Sequence, residues 1–118
     1  MLQATRIYTG SDGESHFEDM EIPLEDLGPF GAMSKLIEAT GVVFRETGPD
    51  YDLDFHNAPR RQFVLMLSGG AVEIEVGDGS KRRLGPGDIL LAEDTTGRGH
   101  ISRAVDDQTR VSIFITLD

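Results

Sequence analysis

Apolar side chains recur at every second position in three separate stretches of the chain, a period that suits strands and not helices. In "YDLDFH", Tyr51, Leu53 and Phe55 alternate with Asp52, Asp54 and His56. In "AVEIEV", Val72, Ile74 and Val76 stand opposite Glu73 and Glu75; in "RVSIFITL", Val111, Ile113, Ile115 and Leu117 stand opposite Ser112, Phe114 and Thr116. Side chains alternate across a strand, so each stretch reads as a strand with one face buried. Turn signals separate the strands: "TGSDG", "SGG", "GDGS", "GPGD" and "VDDQ". Their Gly and Asp residues suit tight turns, and "GDGS" between "AVEIEV" and "KRRL" predicts a β-hairpin. Turns spaced roughly ten residues apart predict an all-β sandwich or barrel. Only "GAMSKLIEAT" has helical prospects; with Gly31 and Gly41 at its ends and Thr40 inside, a strand or short turn competes equally.

The run "FVLML" is apolar at both parities. Such a strand lies between two layers, or one of its faces meets a partner subunit. Counting in twos puts Gln62, Val64 and Met66 on one face, the inner one if Gln62 points into the interior, and Phe63, Leu65 and Leu67 on the other, outer one. A homodimer that covers the outer set is the expected assembly.

The length of 118 residues suits a single domain, with N-terminal strands in residues 1–50 and a motif-bearing barrel core in residues 51–118. At 38% hydrophobic, with 14 Gly and 5 Pro, the composition is that of a turn-rich globular chain. Its formal charge of −10, from 21 acidic against 11 basic residues, repels phosphate backbones and argues against a nucleic-acid partner. There are no cysteines, so disulfides, thiolate metal sites and a Cys nucleophile are excluded. The opening "MLQATRIYTGSDG" has no apolar leader core, and "FVLML" is too short to cross a bilayer. A cytoplasmic protein without membrane contact is expected.

Two stretches carry a more specific pattern. "FHNAPRRQFVLMLSGG" and "LGPGDILLAEDTTGRGH" resemble the first and second motifs of the cupin superfamily, spanning residues 56 to 104. In the first motif His56 takes the first His position and Ala58 the second, Gln62 stands for the Glu, and Gly69 falls on the Gly. In the second, Gly87 and Asp88 open the motif and Gly97-Arg98-Gly99-His100 matches its G-x-x-H, with Thr95 in place of the Pro and Ala104 in place of the Asn. The segment from Gly87 to Thr95 is longer than usual. The resemblance implies an all-β double-stranded β-helix (jelly-roll) barrel, commonly dimeric.

It also implies a site. In the family two His, the Glu and the later His converge on one divalent metal inside the barrel. Here that set becomes His56, Gln62 and His100, since Ala58 cannot ligate. Three neutral donors leave a divalent ion's charge uncompensated. A transition metal is therefore expected to be weak or to need an anionic substrate, although three donors and water still make an open site. Alternatively His56 and His100 are polar lining residues of a pocket adapted to work without metal.

Other residues suggest chemistry of their own. Glu93 and Asp94 precede His100, and an acid beside an imidazole fixes its tautomer and strengthens it as a base. Some sugar epimerases of the superfamily work without metal through such a His–Asp pair. His100 is then the expected base, His56 a second polar group and Asp94 the acid. Arg60 and Arg61, in the turn before "QFVLML", are candidates to grip a carboxylate or phosphate, or else form a surface pair. Gln62 and Met66 are candidate substrate contacts. Asp52 and Asp54 share the parity of His56 and are expected to ring the solvent end of the barrel. His16 is expected on an exposed or edge strand. The serines lack a nucleophile elbow, and no phosphate-binding loop or dinucleotide fingerprint is present.

Three functions remain open. The first is an enzyme acting on a small polar or anionic metabolite by acid–base chemistry, of isomerase, epimerase or lyase type. The second is a metal-dependent oxygenase or isomerase using His56, Gln62 and His100. The third is a ligand-binding barrel without turnover.

Overall fold

The computed structural model describes all residues, 1–118. Twelve strands follow in order: β1 (Leu2–Thr9), β2 (Ser15–Ile22), β3 (Glu25–Asp26), β4 (Ala32–Met33), β5 (Gly41–Thr47), β6 (Asp52–His56), β7 (Gln62–Gly69), β8 (Val72–Glu75), β9 (Lys81–Leu84), β10 (Ile89–Glu93), β11 (His100–Ala104) and β12 (Arg110–Thr116). The only helical piece is a 3-10 turn at Gly28–Phe30. "GAMSKLIEAT" contributes β4 and then irregular backbone, not a helix. No helix is long and apolar enough to cross a membrane.

Ten of the strands form a jelly-roll barrel of two facing sheets, and β3 and β4 pair as a separate two-stranded sheet. A six-stranded sheet runs β2-β1-β10-β7-β12-β5, and a four-stranded sheet runs β6-β11-β8-β9. The predicted hairpin is present, with Val72 opposite Leu84 and Glu75 opposite Lys81. Strands from residues 1–50 interleave with those from 51–118: β1 pairs in parallel with β10, and β5 pairs with β12. The N-terminal strands are thus part of the barrel wall and not an addition to it. Between the sheets lies a core of Ile7, Val64, Met66, Val72, Ile74, Val76, Leu84, Leu90 and Ala92.

On β7 the expected parity holds, with Gln62, Val64 and Met66 buried inward and Leu67 exposed on the other side. On β12 the parity is the reverse of what its alternation suggests. Arg110, Ser112 and Thr116 are the buried set, while Ile113 and Ile115 pair with the outward Leu65 and Phe63. The outer face of the large sheet is therefore apolar. One row across four strands is Phe44, Ile113, Leu65 and Ile89; the next is Val42, Ile115, Phe63 and Leu91.

Candidate functional site

One end of the barrel interior opens into a cavity of about 180 Å³. At about 30 Å³ per water it has room for roughly six waters, so it suits a ligand of only a few heavy atoms. Its wall includes His56, Gln62, Val64, Met66, His100 and Ser102.

The register of β6 and β11 brings the two histidines together. His100 stands opposite His56, and Ser102 stands opposite Leu53, so β6 carries one extra residue between these pairs. That bulge shifts the parity of β6 by one and turns both Leu53 and His56 toward the cavity. Asp52 and Asp54, which an unbroken strand would place beside His56, are exposed and do not line it. The start of β11 is held close by Gly99, whose φ of +84° brings its Cα against the His56 carbonyl, where a Cβ would collide. The imidazole rings lie 4.6 Å apart between centroids, tilted by 56°.

Each ring is fixed through Nδ1. His100 Nδ1 donates to Asp94 Oδ2 at 2.5 Å, and His56 Nδ1 donates to the Asp54 carbonyl at 2.7 Å. A carbonyl only accepts, as does a carboxylate, so both protons of the neutral rings sit on Nδ1 and both Nε2 atoms keep a free lone pair. Asp94 is fully buried, and its Oδ2 also accepts from Ser15 Oγ at 2.7 Å. The Asn57 amide donates to the Thr96 and Gly97 carbonyls at 2.8 Å and 3.0 Å, tying the loop after Asp94 to the strand end that carries His56.

Asp94 does not line the cavity. It holds His100 from behind through Nδ1 and is a positioning residue. Its neighbour Glu93 faces outward, where it accepts from Arg6 and from Arg61 Nε at 2.7 Å. Burial pushes the Glu93 carboxyl up, but hydrogen bonds and charge from the two arginines outweigh it and hold the group below the usual carboxylate range.

Arg60 and Arg61, candidates for an anion grip or a surface pair, lie on the surface. Arg61 is exposed, bonded to Glu93 and Asp118, and Arg60 is exposed; neither lines the cavity. The arginines that do are Arg45 from β5 and Arg110 from β12. Strand parity alone carried a signal for Arg110, which is two residues from Ser112 and four from Phe114, but the apolar alternation of β12 pointed the other way. His16 lies outside the cavity, its Nε2 3.0 Å from the Asp12 carboxylate.

The donor set can be tested against a divalent metal. His56 and His100 offer two oriented imidazole lone pairs, and Gln62 Oε1 is buried without a partner. Yet no cluster of three His, Cys, Asp or Glu exists, and the cavity wall contains two guanidinium groups and no carboxylate. These residues fit an ion that arrives with an anionic ligand. They do not fit one held by the protein alone, because nothing on the wall balances its charge.

No family model matches the chain, and no curated protein matches it in sequence. Solved structures do resemble it. Protein NMB1881 from Neisseria meningitidis superposes with a TM-score of 0.50 at 14% identity, over 68% of this chain and 78% of that one. The conserved SPY1581 protein of unknown function from Streptococcus pyogenes gives 0.48 at 18% identity, over 72% and 71%. KdgF from Halomonas sp. gives 0.46 at 24% identity, over 92% and 94%. At such identities the likeness bears on the fold alone.

Proposed function

We propose that this chain is a cupin-type barrel that binds a small polar or anionic metabolite and acts on it by proton transfer at His100. The observation that carries the reading is the His100–Asp94 pair, with its buried carboxylate, its fixed Nδ1–H and its Nε2 left for the cavity. That tautomer lets Nε2 take a proton from a bound carbon or hydroxyl while Asp94 stabilises the imidazolium that forms. His56, with its own Nε2 free, stands beside it as the second acid–base group. Gln62 and Met66 supply ligand contacts on the cavity floor. The reaction type that suits two neighbouring imidazoles is isomerisation, epimerisation or elimination.

The test is exchange in heavy water. Small 2-keto and 2-hydroxy acids are incubated with the protein, and loss of the C3 proton of the keto acids or the C2 proton of the hydroxy acids is followed by NMR. At least one acid should exchange faster than in buffer, and His100→Ala should slow it about 10²–10⁴-fold. His16→Ala should leave it unchanged. Buffer rates across the panel would leave a ligand-binding barrel without turnover.

A second reading is favoured by the unpartnered Gln62 Oε1. His56, Gln62 and His100 would hold a divalent transition metal together with an anionic ligand, and the ion would supply Lewis-acid chemistry to a ligand oxygen. Elemental analysis of protein prepared without a metal-affinity column, with and without added lactate, separates the two readings.

The assembly we propose is a homodimer formed through the outer face of the large sheet. Its two apolar rows run across β5, β12, β7 and β10, and Val42, Phe44 and Leu67 are all exposed in the single chain. A second copy of the same face is the occupant that would cover them.

A further inference from the structure

Of the eleven basic residues, four form no ion pair: Lys35, Arg45, Arg60 and Arg110. Lys35 and Arg60 are exposed, where water serves them. Arg45 and Arg110 are not exposed, and both line the cavity. Arg110 retains only 4% of its surface. In a chain with 21 acidic residues, none of which lines this cavity, the two guanidinium groups stand without a counter-charge. Buried charges are ordinarily paired.

The placement is set by register. Arg45 stands opposite Ser112 and Arg110 opposite Thr47, so the arginines are diagonal neighbours on the inner face of the β5–β12 pair. Both approach the Tyr51 ring, with Cζ 5.3 Å and 5.2 Å from its centroid, and Arg45 also stacks on Phe114 at 4.6 Å. Aromatic faces hold the flat guanidinium planes and leave their edges free. Arg110 Nε donates to Thr47 Oγ1 at 3.3 Å and Nη1 points at Met66 Sδ at 3.8 Å. Arg110 Nη2, Arg45 Nε and Ser112 Oγ are each buried with no partner. Three neighbouring positions of the β5–β12 pair thus each carry a buried polar atom without a partner. Burial, and then the nearby charge of Arg45, hold Arg110 below its ordinary range, against a smaller opposing effect of Tyr51.

We propose that Arg45 and Arg110 form the oxyanion subsite of the cavity and take the carboxylate or phosphate head of a small ligand. An oxyanion supplies the missing counter-charge and accepts from the free guanidinium edges. A cavity of about 180 Å³ restricts the ligand to a compact acid. With its head at the arginines, the rest of the ligand would share the cavity with His56 and His100. The inference rests on this cavity being the ligand site, but not on any chemistry at His100.

Calorimetric titration at low ionic strength, with sodium lactate and inorganic phosphate as probes and glycerol as the uncharged control, tests it. Lactate or phosphate should bind to the wild-type chain and glycerol should not; the tighter of the two identifies the head group. Arg110→Met and Arg45→Met should each weaken that binding about tenfold or more. Arg60→Ala, which removes the same charge outside the cavity, should leave it unchanged. Arg45→Met is at a half-buried position, so it remains informative if Arg110→Met fails to fold. Binding is read by calorimetry and exchange separately by NMR, so a wild-type chain that binds lactate without exchanging its proton fails the acid–base reading and keeps the subsite. Binding of neither anion, or equal binding by Arg45→Met and wild type, would overturn the proposal.

Discussion

Replacing Asp94 by Ala should unsettle the fold as well as the site, by an amount that can be worked from its contacts. The carboxylate is fully buried, and its Oδ2 receives His100 Nδ1 at 2.5 Å and Ser15 Oγ at 2.7 Å. Truncation leaves both donors facing a small void. A buried donor left unsatisfied costs about 1–3 kcal/mol, and the lost side-chain volume adds a cavity term. A total of about 3–5 kcal/mol follows, the range seen when one partner of a buried pair is removed. For a domain of this size about 1 kcal/mol corresponds to about 4 °C, so the midpoint should fall by about 12–20 °C. Asp94→Asn should cost less, because its oxygen can keep both bonds while its amide takes the place of Oδ1, which has no partner now. Ser15→Ala should cost about 1 kcal/mol, since His100 still pairs with the carboxylate. Urea denaturation of the three variants measures these differences. An Asp94→Ala loss under about 1 kcal/mol, or an Asp94→Asn loss equal to it, would refute the idea that this carboxylate organises the site.

The Glu93 link to Arg6 and Arg61 predicts acid sensitivity: a carboxyl held low in the fold contributes stability above its unfolded value of roughly 4.3 and loses it as pH falls through the lower folded value. Denaturation midpoints of wild type and Glu93→Gln should therefore converge below about pH 4 and separate above it; a constant gap would contradict the linkage. Gly99→Ala should destabilise by more than about 1 kcal/mol, since φ is +84° and the added carbon meets the His56 carbonyl; an unchanged urea midpoint would show the close approach of β11 to β6 to be unimportant. Light scattering at micromolar concentration should give a dimer, and Phe44→Asp should give a monomer; a monomeric wild type would remove the proposed interface.

How far the sequence carried depends on which residue is asked. Gln62 could be placed because it stands at the Glu position of the first cupin motif, which the resemblance puts inside, and counting in twos along the regular β7 carries Val64 and Met66 with it. His100 could be placed because Gly97-Arg98-Gly99-His100 resembles the G-x-x-H of the second cupin motif, and both glycines take the positive φ that such a turn suits. Asp52 and Asp54 could not be excluded beside His56, because the bulge that changes the parity of β6 leaves no mark in composition. Arg45 and Arg110 were missed for a different reason. Alternation shows which side chains share a face, but not which face is the interior. On β12 the apolar set faces outward with Leu65 and Phe63, and the polar set turns in. Pairing with β7 decides this, and pairing is a long-range property. The two-sided apolar pattern of "FVLML" was the visible trace of that outer face.

Two imidazoles, His56 and His100, line the cavity with their Nε2 lone pairs free, and Asp94 fixes His100. Long-range proton–nitrogen NMR of the histidine rings tests it directly, at pH 8.5, where a neutral imidazole is the ordinary form. The account predicts that His100 and His56 carry their proton on Nδ1, and that Asp94→Ala releases His100 from this tautomer while His56 keeps it. A His100 ring protonated on Nε2 in the wild-type chain would turn its basic nitrogen away from the cavity and contradict the proposed chemistry.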